Sequence, residues 1–138
     1  MKRMLLYALT IAAIAIITFV FVAFANDINE RNIEFLSSYG WIVENTPIER
    51  VNATLPTVPD DVFTAYNRLQ IEAGLDLTSH LGKSCVRYTY KVLNYPKDVG
   101  EIVRANVLTS GGIIIAGDIM TVSLDGFMHS LVFPNQLR

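Results

Sequence analysis

The sequence predicts an α+β protein: an N-terminal transmembrane helix followed by one domain of two helices packed on a mostly antiparallel sheet of about four to five strands. Three observations carry that expectation. An uncharged apolar run fills positions 4–25, two later segments repeat apolar residues at helical spacing, and the rest alternates apolar with polar residues between glycine turns.

The apolar run, Met4 to Ala25, lies between the charges of Arg3 and Asp27. At about 1.5 Å per helical residue it reaches roughly 30 Å, the thickness of a bilayer's hydrocarbon core, and it exceeds the roughly 7–15 residues of a signal peptide's apolar region. Lys2 and Arg3 precede it, and Asp27 and Glu30 follow. The positive-inside rule then keeps the N-terminus in the cytoplasm and places the C-terminal part outside the cytoplasmic membrane. A second reading, secretion after cleavage at Ala25, rests on Ala23-Phe24-Ala25, a small-x-small pattern that signal peptidase accepts. The length of the run favours the anchor. Residues 1–25 are thus read as a transmembrane anchor or uncleaved signal, and 26–138 as one extracytoplasmic domain, large enough for a single core.

All 13 acidic residues lie beyond the run, while two of the 11 basic ones precede it, so the domain is mildly acidic. With no basic run, nucleic acid and an anionic lipid surface are disfavoured as partners. Cys85 is the single cysteine. The domain therefore has no internal disulfide and is held by packing.

In order along the chain, Asn26-Asp27 is expected to cap a helix over about Ile28–Ser38, which buries Ile28, Phe35, Leu36 and Tyr39 and stops at Gly40. Trp41-Ile42-Val43 reads as a first strand, Ile48–Leu55 as a second, and Pro56–Pro59 as a rigid connector. Asp60 or Asp61 caps the next helix, with Val62, Phe63, Tyr66, Leu69, Gln70 and Ala73 on one face, an Arg68–Glu72 surface pair, and Gly74 at its end. Asp76–Gly82 is a loop with room for one helical turn. Cys85–Asn94 is the most regular strand, with Val86, Tyr88, Tyr90 and Val92 facing a core and Arg87, Thr89 and Lys91 facing water. A further strand carries Val103, Ala105 and Val107, Ser110-Gly111-Gly112 reverses the chain, and Ile113–Leu124 returns as a long strand bent at Gly117. Asp125-Gly126 turns again, Phe127–Phe133 forms a last short strand or a packed turn, and Pro134–Arg138 is tail.

Chemical motifs are sparse. Gly82-Lys83-Ser84 lacks the upstream glycine of a phosphate loop, because position 77 is leucine. His80, His129, Asp118 and Asp125 match no metal-ligand spacing, and no nucleophile elbow is present, so no catalytic residue, metal site or cofactor is assigned. The candidate binding residues are Trp41, Asp125, Gly126 and His129, the last three in Leu124-Asp125-Gly126-Phe127-Met128-His129, where polar groups sit in a glycine turn at a strand end. The structural reading is that Asp125 only caps the turn while Phe127 and Met128 plug the core. The functional reading is a groove for an envelope protein or peptide.

Ser38-Tyr39-Gly40-Trp41, Gly82-Lys83 followed by Val86-Arg87-Tyr88-Thr89-Tyr90, Asn94-Tyr95-Pro96, Val103-Arg104-Ala105-Asn106 and Leu124–His129, in that order, resemble the bacterial family called domain of unknown function 4830, over about Asp27–Leu131. Ala116-Gly117-Asp118 stands where a Gly-Gly-Asp is expected. The resemblance implies a clostridial-type bacterium and a small extracytoplasmic domain behind one membrane segment, and it implies no activity. The expected function is a membrane-tethered, non-catalytic interaction module. The alternative is a small envelope enzyme or enzyme inhibitor using the Asp125–His129 region, with His129 moving a proton.

Overall fold

The computed structural model describes residues 1–134, so 135–138 of the expected tail lie outside the described residues. Helix α1 spans Lys2–Ser38 without interruption. The expected cap at Asn26-Asp27 does not form: with good helix formers on both sides the helix continues, and Asp27 instead pairs with Arg31 one turn later at 3.3 Å. Thr10 and Thr18 donate to the carbonyls of Tyr7 and Ile14, so the polar side chains of the apolar half are satisfied within the helix. At the far end Gly40 adopts φ +94°. The N–H groups of Trp41 and Gly40 bond back to Leu36 and Ser37, a Schellman stop that turns the chain toward the sheet.

The sheet is an antiparallel meander in the order β1-β2-β3-β4-β5, comprising β1 (Glu49–Thr54), β2 (Ser84–Lys91), β3 (Arg104–Ser110), β4 (Ile113–Met120) and β5 (Met128–His129). Trp41–Val43 is not a full strand. Among the described residues its one ladder bridge joins Val43 to Val92, because the Trp41 ring turns into the core. The tight turn between β3 and β4 places Gly111 at φ +57° and Gly112 at φ +77°, the primed hairpin geometry that a two-residue loop demands. β4 stops at Met120 rather than Leu124. Its irregularity is at Ile115, where the register slips between Leu108 and Thr109, and not at Gly117. That extra residue lets both Ile115 and Ala116 pack on one face.

Helix α2, Asp61–Glu72, is capped by Asp60, whose carboxylate accepts from the Phe63 N–H at 2.7 Å, and it ends in a second Schellman turn at Gly74. One helical turn, Thr78–His80, follows in the expected loop. Phe63, Asn67 and Gln70 form the buried stripe of α2, whereas Val62 is exposed. Arg68 and Glu72 are not among the ion pairs of the described residues.

The two helices cover opposite faces of the sheet. Leu36 and its neighbours in the last turns of α1 pack on Tyr88, Tyr90, Val107 and Ile119. On the other face Phe63 of α2 and Leu77 pack on Cys85, Leu108 and Ala116. Thr89, expected to face water, is therefore covered, and Asn106 and Asp118 beside it are buried as well. A fully buried leucine or valine contributes about 1.5–3 kcal/mol, so the larger α1-side cluster carries most of the stability.

Candidate functional site

The chain brings Trp41 and His129 together through aromatic packing. The Trp41 ring lies parallel to Tyr95, with centroids 5.9 Å apart and planes 8° from parallel, and meets Phe133 at 4.6 Å. His129, placed by its pairing with Ile119 across β4 and β5, stacks on Phe127 at 5.5 Å and 10°. The Trp41 indole N–H donates to the Leu131 carbonyl at 2.6 Å, which fixes the ring inside the core.

Both nitrogens of His129 are engaged. Nδ1 lies 2.7 Å from the Ser130 carbonyl, so it carries a proton and donates. Nε2 is 3.2 Å from the Tyr95 hydroxyl, and with the ring proton on Nδ1 it accepts the phenolic proton. Burial pushes the Tyr95 phenol up, which keeps it a donor. With one face against Phe127, the imidazole has no free lone pair to offer a substrate.

Asp125 and Gly126 stand apart from this stack on an exposed turn. The Gly126 N–H donates to the Ser123 carbonyl at 3.0 Å, and a Cβ on Gly126 would come within 2.6 Å of Thr121 Oγ1, so glycine is required there by packing. The Asp125 side chain has no hydrogen bond or ion pair among the described residues. Leu124 beside it is fully exposed, which leaves an apolar tip on a polar turn. His80 is elsewhere, its Nδ1 3.5 Å from Lys83 Nζ.

A second constellation was missed by sequence reasoning. Asn106 and Asp118 are register partners across β3 and β4, and both point under α2. Tyr66 donates to Asp118 Oδ2 at 2.7 Å, Asn106 Nδ2 donates to Oδ1 at 2.9 Å, and Thr89 donates to Asn106 Oδ1 at 2.7 Å. Desolvation raises the Asp118 carboxyl against the lowering effect of its two donors, and it raises the Tyr66 phenol well above its ordinary value, with Asp118 adding to that rise. A hollow of about 190 Å³ adjoins the network, walled by Val51, Leu108, Met120 and Met128. The only signal in the sequence was a pair of polar residues at matching positions of two adjacent strands. Among the described residues, no group of three or more His, Cys, Asp or Glu side chains converges to hold a metal.

Fold and site together define a class: a small α+β domain with a covered five-stranded meander, carried on the end of a long apolar helix. The residue pattern of the family described as Domain of unknown function (DUF4830) matches residues 35–119, from the last turns of α1 to β4, and the chain belongs to that family. The match is shorter than the Asp27–Leu131 span of the resemblance in sequence. No curated protein and no solved structure matches the chain.

Proposed function

We propose that this protein is a membrane-anchored, non-catalytic interaction module of the bacterial envelope, held by residues 4–25 with its N-terminus in the cytoplasm and its domain outside, and acting by contact with a protein or peptide. The observation that carries the reading is the continuity of α1. One helix contributes an apolar half whose most hydrophobic window is wholly unburied by the protein, and a terminal half whose Asn32 and Leu36 are core residues of the domain. An unburied apolar surface of that length needs a nonaqueous environment. Secretion after cleavage at Ala25 would leave Asn26–Ser38 as the remaining α1, still long enough to carry Leu36.

The contact surface in this reading is the Val122–Gly126 turn, with Leu124 as an apolar anchor and Asp125 as its charge. The packing of His129 beneath Phe127, and the engagement of both its nitrogens, speak against the alternative in which His129 transfers a proton. The test is photo-crosslinking in intact cells with a photoreactive residue at Leu124, followed by mass spectrometry. The reading expects a recurrent envelope protein adduct that disappears when Asp125→Lys is added. An abundant, folded, membrane-held chain without such an adduct would overturn it.

A further inference from the structure

The alternation of β1 puts Arg50, Asn52 and Thr54 on the α1 side of the sheet, in register with Tyr88, Val86 and Ser84. There they line a cleft of about 530 Å³ whose other wall is Phe24 and Ile28 of α1. A second hollow of about 270 Å³ extends from Arg50 and Tyr88 along Phe21 and Phe24. Phe24 belongs to the last turn of the apolar run, which ends at Ala25. In a chain anchored by that run, the helix wall of the cleft stands where the helix leaves the hydrocarbon core.

The three polar side chains are unspent. Among the described residues Arg50 has no carboxylate partner; its guanidinium lies 5.7 Å from the centre of the Tyr88 ring. Asn52 and Thr54 make no side-chain hydrogen bond among the described residues either. One end of the cleft is aromatic and continuous with the membrane-spanning face, Arg50 beside Tyr88 follows as a cation, and Asn52 and Thr54 lie beyond it as neutral polar groups. A phospholipid has the same order of groups: acyl chains, phosphate, headgroup.

We propose that this cleft seats one phospholipid of the outer leaflet, with its acyl chains along Phe21 and Phe24, Arg50 on its phosphate, and Asn52 and Thr54 beside its headgroup. The acidic charge of the domain as a whole disfavours general adhesion to anionic lipid. A single cation beside an anchor needs only one phosphate, already at its own depth. The seat fixes the height of the sheet above the bilayer. This inference rests on the anchored reading of α1.

The full chain is reconstituted in phosphatidylcholine vesicles with a benzophenone amino acid in place of Asn52, and a control chain carries the same residue in place of Arg68, an exposed position of α2 on the opposite face of the sheet. Mass spectrometry after illumination is expected to find a lipid adduct at position 52 and none at position 68. The yield at 52 should fall about fivefold with Arg50→Gln, and equally in vesicles of a phosphate-free galactosyl diacylglycerol. An adduct that ignores both changes, or a protein adduct in place of lipid, overturns the proposal. Vesicle flotation after alkaline washing separates the two readings. A chain that washes off refutes anchoring, whereas a chain that stays without a lipid adduct at 52 refutes the lipid seat alone.

Discussion

Replacing Tyr66 by phenylalanine removes a single hydroxyl and leaves the ring against the sheet. The hydroxyl is one of two donors that hold the Asp118 carboxylate, at 2.7 Å against 2.9 Å for Asn106. A hydrogen bond to a charged acceptor contributes about 1.5–3 kcal/mol. At roughly 4 °C per kcal/mol for a domain of this size, Tyr66→Phe should lower Tm by about 6–12 °C at neutral pH. The pH dependence gives a sharper signature. Burial raises the folded-state pKa of Asp118 above its ordinary 3.8, so its stabilising proton uptake is complete below that value and is lost as pH climbs through the raised one. Because the Tyr66 hydrogen bond works against the rise, its removal lifts the folded pKa further, and the penalty grows from about pH 4 to about pH 8. Thermal unfolding of the full chain in detergent, followed by fluorescence of Trp41, the single and buried tryptophan, reads both effects. An equal Tm drop at the two pH values, or a drop under about 2 °C, would refute the network as a charge-holding device.

Other consequences are simpler to check. Gly117→Ala would set a Cβ 2.8 Å from Leu131 Cδ1 and 2.9 Å from the Asn106 carbonyl, and should cost about 1–3 kcal/mol in denaturant unfolding, since backbone on one side cannot yield. Gly112→Ala forces a side chain onto φ +77°; roughly 1–2 kcal/mol of lost stability is expected from the same measurement, with the fold retained. Burial pushes the Cys85 thiol up, so an aromatic disulfide reagent should react with the native chain far more slowly than with the urea-unfolded one. Matching rates would mean that the thiol is accessible.

Legibility in the sequence followed how local each cause was. The Asp60 cap, the paired glycines of the β3–β4 turn and the glycine stops of both helices are decided within a few residues, and they stand where the sequence places them. Trp41–Val43 has strong strand composition but bridges only at Val43, because a long-range demand, the indole bonded to Leu131, outweighed propensity. Asn26-Asp27 resembles a cap and is helix interior, since capping residues mark a start only where no helix already runs into them. Thr89 reads as a wet-face residue until α2 is laid over it, and no spacing rule shows that its side chain and those of Asn106 and Asp118 satisfy one another. The candidate residues divided for the same reason. Trp41 and His129 are joined by Tyr95 and Phe127 across the fold, while Asp125 and Gly126 remain a turn.

The unbroken course of α1 also gives the domain a compass bearing. With no flexible joint between the apolar half and Leu36, whatever holds the lower half in azimuth holds the domain too. Adding one residue within positions 4–25 would rotate everything above it by about 100° and raise it by about 1.5 Å, changing no contact inside the domain. The Val122–Gly126 turn would then point toward a different neighbour.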